Sequence, residues 1–135
     1  DFGFRVFQLA PSNFKAWEEP QHKDQARYVR SLRAAIDTLG ESFDVQNAIW
    51  EVAIKEGFGL TTEIEKVPSI KSNEVYLVKD PDLGQSFRIC LDKTLRAQSV
   101  AAMSLTRDDL FVCRDVAITD EIAANLALQC RLKTL

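Results

Sequence analysis

The chain has 135 residues, 46% of them hydrophobic and 27% charged, and a formal net charge of −3 at pH 7. This length suits one domain, which buries roughly 68% of its unfolded surface and needs no disulfide or metal to support its core. The charge excludes a global basic field that would hold nucleic acid unaided, and no apolar run approaches the ~20 residues of a membrane span.

Cys90, Cys113 and Cys130 each lie in an apolar segment, and none has a partner at metal-ligand spacing. This usage predicts reduced, buried thiols in a cytoplasmic protein and not a disulfide framework. The chain starts at Asp1, without a basic leader or an apolar signal segment. We therefore expect residues 1–135 to form a single domain excised from a larger protein.

The first predicted element is a short strand over residues 2–9. Apolar residues occupy both of its faces, which favours a buried position, and Pro11-Ser12-Asn13 supplies turn chemistry directly after it.

Two helices are predicted next. Apolar residues recur every three or four positions, which predicts an amphipathic helix over residues 24–39 that ends at Gly40. A second helix is predicted over residues 45–56, with Asp44 as its N-cap and Gly57 as its end. The expected inner stripe of the first helix comprises Tyr28, Val29, Leu32, Ala35, Ile36 and Leu39.

The middle of the chain predicts an antiparallel meander. Residues 61–67, 74–79 and 86–91 are short runs rich in β-branched and aromatic side chains, separated by turn-forming residues. Residues 62–65 also fit a helical capping box, but Pro68 would end such a helix after one turn, so we favour a strand.

Strands and helices alternate in the last third, which predicts right-handed crossovers and parallel pairing in a βαβαβ-like unit. Thr94 and either Thr119 or Asp120 are the expected N-caps. The fold class predicted for the whole chain is therefore α/β with α+β features, built on one mixed sheet. The predicted elements are strands at 87–91, 110–113 and 133–135 and helices at 94–105 and 120–132.

Few residues have a pattern typical of catalysis. His22 is the single histidine and lies in a polar linker without a Ser or Cys nucleophile predicted beside it, so we interpret it as solvated surface. The sequence does not supply the ligands that a zinc site needs. On motifs alone the chain has no recognisable active site.

Asp92 and Asp115 each follow a predicted parallel strand, and ligands of open α/β sheets bind beyond those carboxyl ends. Two carboxylates there could hold Mg²⁺, as in a small metal-dependent module. The commoner alternative is that they are turn and capping residues at the start of crossover helices.

Lys23, Arg27, Arg30 and Arg33 place positive charge along the first long helix at spacings of three to four residues. The default interpretation is that these four side chains lie on a solvent-exposed face of the helix. The alternative is contact with a nucleic-acid phosphate backbone, arranged by a larger assembly.

Several stretches, taken in order, resemble one protein family. GFRVFQL at 3–9 followed by SNFKAW at 12–17 resembles the "GFRVFKLDSSNFKxW" stretch of site-specific adenine DNA methyltransferases, the modification subunits of type III restriction–modification systems and their close relatives. The resemblance covers essentially the whole chain. It continues through VYLV at 75–78, FRICLD at 87–92, FVCRD at 111–115 and the closing helix and strand at 120–135.

This resemblance implies a non-catalytic C-terminal domain of an S-adenosylmethionine-dependent enzyme. In the family the stretch follows the catalytic domain, which holds an Asp-Pro-Pro-Tyr-type tetrapeptide for the flipped adenine and a Phe-x-Gly-x-Gly-type loop for the methyl donor. The nearest approach here, Asp80-Pro81-Asp82-Leu83, lacks the second proline and the aromatic ring. We expect no catalytic, cofactor-binding or metal-binding residue in this chain.

The work implied for such a domain is assembly. Its expected partners are the catalytic domain of the same chain, a second copy, or the restriction subunit, with DNA reached through the parent protein and no membrane contact. Such a role predicts an exposed apolar surface. The candidates are Phe2, Phe4, Phe58 and Leu60.

Overall fold

A computed structural model describes residues 3–17 and 24–135. Within these ranges it has four α-helices and one five-stranded mixed sheet, so the predicted α/β class is confirmed. None of these helices is long and apolar enough to cross a membrane. In chain order the elements are α1 Gln25–Ile36, α2 Val45–Lys55, β1 Glu63–Lys66, β2 Val75–Asp80, β3 Gln85–Cys90, α3 Ala97–Met103, β4 Leu110–Cys113, α4 Asp120–Gln129 and β5 Arg131–Thr134.

The strands lie in the order β1-β2-β3-β4-β5. The first three pair antiparallel and the last three pair parallel, which confirms the predicted meander and the βαβαβ unit. The hairpin between β2 and β3 is fixed by Asp80, whose Oδ1 accepts hydrogen bonds from Asp82 N at 2.9 Å and Leu83 N at 3.0 Å. Gly84 completes the turn with φ of +64°, which favours glycine.

Each face of the sheet is covered by helix, which gives a three-layer arrangement. On one face the apolar stripe of α2 packs against Val78, Phe87 and Ile89. On the other face α3 and α4 pack against Phe111 and Cys113. Successive buried side chains of the strands therefore point into two different cores, as expected for a sheet buried on both sides.

Two helix ends follow the sequence closely. The Asp44 side chain caps α2 by accepting from Asn47 N at 2.8 Å, and Gly57 follows the helix with φ of +88°. Thr119 caps α4 by accepting from Ile122 N at 3.3 Å. These capping predictions are confirmed.

Helix α3 begins later than predicted, and Thr94 is not its N-cap. The helix starts at Ala97, and no side chain caps it. The backbone before it is engaged elsewhere, since Leu95 N donates to Ala117 O at 2.9 Å and Thr94 O accepts from Asn73 Nδ2 at 2.7 Å. Tertiary hydrogen bonds therefore outweigh the local capping preference.

The predicted first strand is not paired in the part that the structure describes, residues 3–9. The nearest pairing is a single antiparallel bridge between Phe14 and Leu39. Instead of being buried, Phe4, Val6 and Leu9 are exposed. The first helix is also shorter than predicted, because Asp37 has ψ of 100° and the chain turns there so that Leu39 enters the core.

Candidate functional site

Helix α1 presents an apolar stripe that is only about half covered in the described part of the chain. The stripe is formed by Tyr28, Val29, Leu32 and Ile36, with exposed fractions of 42%, 40%, 38% and 49%. Their spacing places them on one face of the helix. No residue of α1 is buried, whereas α2 buries four residues of its own stripe. An amphipathic helix in this state lacks part of the packing that normally stabilises it.

The C-terminal end of α1 is attached to the body of the domain. Lys15 N donates to Thr38 O at 2.8 Å, and Gly40 N donates to Asn13 O at 2.9 Å. Leu39 is buried in the core under α2. The contacts in the described ranges thus hold the C-terminal end of the helix, while its stripe stays about half exposed.

A buried ion pair strengthens this attachment. Arg114 follows β4 and is only 2% exposed, and its Nη2 donates to Asp37 Oδ2 at 2.5 Å. The Arg114 hydrogen bond holds the pKa of Asp37 below its usual value, against an opposing contribution from burial. The guanidinium also lies 5.5 Å from the centre of the Phe43 ring, and its Nε has no partner within the described chain.

The N-terminal segment, residues 3–17, is fastened to α2 by side chains. Glu51 accepts from Ser12 Oγ at 2.5 Å and from Asn13 N at 3.0 Å. Burial raises the pKa of Glu51, but these hydrogen bonds and that of Lys55 bring it below its usual value. The Phe7 ring meets Trp50 edge to face at 5.3 Å.

The four residues expected at an apolar interface differ in their exposure to solvent. Phe4 is 88% exposed and Leu60 is 54% exposed. Phe58 was wrongly expected at the surface: it is buried, and its ring packs edge to face on Phe87 at 5.0 Å in the α2 core. Phe2 lies outside the described residues.

The arginines of the predicted basic stripe lie on exposed positions of α1. Arg27 makes one ion pair, with Asp24 at 3.9 Å. Among the described residues Arg30 and Arg33 have no acidic partner within 4 Å. Lys23, the fourth member, lies outside the described residues. The three arginines and the apolar stripe therefore share one short helix without any acidic residue of its own.

Asp92 and Asp115 occupy turns at the carboxyl ends of β3 and β4. Asp92 Oδ2 accepts from Asn73 Nδ2 at 2.7 Å and from Glu74 N at 3.0 Å, so this oxygen already serves the fold. Asp115 begins a 3₁₀ turn, and its backbone N donates to Leu135 O at 3.1 Å. In the two described ranges no group of three or more His, Cys, Asp or Glu side chains could hold a metal ion.

Asn73 is the centre of a buried polar cluster. Its Nδ2 donates to Asp92 Oδ2 and to Thr94 O, both at 2.7 Å. Its Oδ1 accepts from Arg96 N at 2.9 Å and from Ser99 Oγ at 2.7 Å. Three of these contacts tie the loop before β2 to the loop before α3, and the fourth ties it to Ser99 in α3 itself, which indicates a structural role.

The three cysteines are free and buried. Burial raises the pKa of Cys90 and of Cys113 to about 12 and also raises the pKa of Cys130. Because the thiolate is the reactive form, these thiols are inert packing groups at neutral pH. His22 lies outside the described residues.

The stretch that approaches the methyltransferase tetrapeptide forms the turn between β2 and β3. Asp80 is buried, and its Oδ2 accepts from Gly59 N at 2.7 Å. The backbone hydrogen bonds of Gly59 and then Leu83 hold the pKa of Asp80 below its usual value. Its carboxylate is occupied by backbone donors, as a turn anchor requires.

A shallow groove of about 200 Å³ lies between α3 and α4. Its lining is almost entirely apolar, with amide side chains as its polar contribution, so it offers no charged group to orient a ligand. It is lined by Ala97, Val100, Ala101, Ile122, Asn125 and Gln129.

Comparison of the chain with protein-family models, with curated proteins and with solved structures finds no match.

The sequence did not predict that the apolar stripe of α1 would be exposed. Its periodicity predicts an amphipathic helix, and such a stripe is normally assigned to the core of its own domain. The signal that could have found it is the absence of acidic residues from Gln25–Ile36, beside three arginines. This composition is typical of a helix that docks on something else.

Proposed function

We propose that this chain is a non-catalytic assembly domain of a site-specific adenine-N6 DNA methyltransferase of a restriction–modification system. It docks on the catalytic domain of the same protein through the apolar stripe of α1 and the neighbouring N-terminal segment. The methyltransferase class rests on the resemblance of the GFRVFQL and SNFKAW stretches. The parent enzyme then uses S-adenosylmethionine, which this domain does not hold.

The exposure of the apolar stripe on α1 is the observation that supports an assembly role. Four large apolar side chains on one face of α1 are each 38–49% exposed. Phe4, Val6 and Leu9 add exposed apolar surface in the N-terminal segment. Exposed apolar patches mark interaction sites in soluble proteins. The polar clusters at Asp92 and Asp80, by contrast, are occupied by the fold's own hydrogen bonds.

A cytoplasmic location belongs to the same proposal. Cys90, Cys113 and Cys130 are all free and buried, as expected for a protein kept in a reducing compartment.

Replacing Leu32 and Ile36 by serine is expected to weaken docking on the separately produced catalytic domain of the parent enzyme. Leu32 and Ile36 are 38% and 49% exposed, so docking buries about half of each side chain and contributes about 1 kcal/mol from each. The double variant should therefore raise the dissociation constant by roughly 30-fold. Calorimetric titration of the two proteins measures it. Ala34→Ser, on another face of α1, is the matched control and should bind as the unmodified chain does.

Unchanged affinity of the double variant would contradict docking through α1. Heat of micromolar binding on titrating the chain with S-adenosylmethionine would contradict the non-catalytic assignment. Association of two copies in place of docking, seen by sedimentation, would identify a second copy as the occupant of the stripe.

Contact with a DNA backbone is the second candidate, favoured by the position of the arginines. Arg30 lies about 160° around the axis of α1 from Leu32, because each residue of an α-helix turns by about 100°. A protein that covers the stripe would therefore leave Arg30 and Arg27 on the open side, whereas Arg33, about 40° from Val29, borders the stripe. Guanidinium groups are suited to bidentate phosphate contacts.

Replacing Arg27 and Arg30 by glutamate is expected to abolish such binding to duplex DNA. If each arginine neutralises one phosphate, the slope of log affinity against log salt should fall by roughly 0.9 for each neutral substitution, such as Arg30→Gln. Fluorescence anisotropy at several salt concentrations measures the slope. Salt-independent binding, or none in the unmodified chain, removes this candidate and leaves assembly in place.

A further inference from the structure

The two flanks of the apolar stripe on α1 differ in their exposure to solvent. Ser31 and Ala35, which lie beyond Tyr28 around the helix, are partly buried against the body of the domain. On the other flank Val29 is 40% exposed and Arg33, beyond it, is exposed. A partner that completes the cover of the stripe therefore approaches over the flank that carries Arg33.

Of the three arginines of α1, only Arg33 borders the stripe. It lies about 40° around the helix axis from Val29, since each residue of an α-helix turns by about 100°. Arg30 lies about 100° from Val29, and Arg27 lies about 100° from Tyr28 on the far flank. A protein seated on the stripe thus meets one cation at its border and leaves the other two outside the contact.

The guanidinium of Arg33 has no acidic partner within 4 Å in residues 3–17 and 24–135. The natural partner would be Asp37, four residues later, because side chains at that spacing are neighbours on a helix. Asp37 has left the helical conformation, and its Oδ2 accepts from Arg114 instead. The core of the domain therefore takes the carboxylate that would otherwise neutralise Arg33.

An apolar contact that closes beside this guanidinium removes part of its hydration. Such a loss is unfavourable unless the partner supplies a group of opposite charge, and a carboxylate forms charge-assisted hydrogen bonds with arginine. The chemistry of the border of α1 thus specifies the chemistry of the surface that covers it.

We propose that the surface on which α1 docks is an apolar groove with a carboxylate at the rim that faces Arg33. The occupant is the catalytic domain of the same protein, so this inference rests on the proposed function and adds the charge of its docking surface. The carboxylate also fixes the direction of the helix, because the opposite flank at Ser31 and Ala35 carries no charge.

Calorimetric titration of the chain with the separately produced catalytic domain tests the acidic rim. Arg33→Glu should raise the dissociation constant about tenfold at low salt, because it sets two carboxylates against each other. Arg33→Lys keeps the cation and should bind within about threefold of the unmodified chain. Arg30→Glu makes the same change of charge outside the contact, so this matched control should bind as the unmodified chain does.

The dependence on salt gives a second measurement that loss of packing alone would not change. Charges at the rim of an interface are screened, so the affinity of the unmodified chain should fall severalfold between about 0.05 and 0.5 M salt. The affinity of Arg33→Gln should fall less over the same range, because the cation that responds to salt is absent.

Equal dissociation constants for Arg33→Glu and Arg30→Glu, or tighter binding by Arg33→Glu than by the unmodified chain, would overturn the acidic rim. The serine double variant at Leu32 and Ile36 separates this failure from that of the proposed function. If the double variant weakens binding and Arg33→Glu does not, docking through α1 stands and the rim alone is wrong. If neither weakens binding, docking through α1 is wrong as well.

Discussion

Replacing Asn73 by alanine is expected to lower the free energy of unfolding by about 3 kcal/mol. The change removes four hydrogen bonds and leaves the buried Ser99 hydroxyl, the Arg96 N–H and the Thr94 carbonyl without a partner. Each unsatisfied group contributes about 1 kcal/mol or more. Urea denaturation followed by circular dichroism measures the loss.

Two further substitutions sharpen that result. Ser72→Ala, at the adjacent position, removes one long hydrogen bond of 3.4 Å and should change stability by less than about 0.5 kcal/mol. Asn73→Asp keeps the shape but sets a second carboxylate against Asp92, so the variant should regain stability as the pH falls and one carboxylate is protonated. A loss below about 1 kcal/mol in Asn73→Ala would mean that solvent replaces the lost contacts.

Replacing Asp37 by alanine is the second change with a large expected effect, again about 3 kcal/mol. The variant leaves the Arg114 guanidinium, which is 2% exposed, without its counter-ion. Removing one partner of a buried pair usually costs about 3–5 kcal/mol, and we expect the lower end because the Asp37 side chain is 32% exposed. Arg114→Leu in the Asp37→Ala background should restore part of the loss, since no buried charge remains. Thermal or urea unfolding of the four proteins completes the cycle.

The same pair predicts a dependence on pH. Because the folded-state pKa of Asp37 is lowered, its contribution is fully present above the unfolded value of about 3.9 and is lost as the pH falls through the lower folded value. Acid unfolding of the unmodified chain should therefore be steeper below about pH 4 than that of Asp37→Ala. Identical acid-unfolding curves of the two proteins below about pH 4 would contradict a stabilising role of the pair.

Elements whose local signals agree with their tertiary environment were predictable from the sequence. The strand Leu110–Cys113 has the predicted bounds, and α2 has the predicted start and N-cap because Asp44 and Gly57 define it locally. The mixed sheet follows from a meander of short strands joined to alternating strands and helices. Residues 94–96 departed from prediction because their backbone bonds to Asn73 and Ala117, contacts that no local pattern encodes.

The candidate site was only partly predictable, for a different physical reason. Hydrophobic periodicity shows that one face of α1 avoids water, but it does not say which surface covers that face. The expected assembly role placed Phe58 at the surface wrongly, since a residue just after a helix can turn into the core, as its contact with Phe87 shows. Arg114 has no sequence signature, because its partner Asp37 is 77 residues away.

The attachment of α1 at its C-terminal end connects the helix to the sheet. The 12-residue helix is about 18 Å long. Its C-cap residue Asp37 is bound to Arg114, which directly follows β4. A molecule bound to α1 is therefore connected to the parallel strands through the Asp37–Arg114 pair, in addition to the contacts of Thr38, Leu39 and Gly40. Loss of the Asp37–Arg114 pair would weaken this connection without removing the other contacts at the same end of the helix.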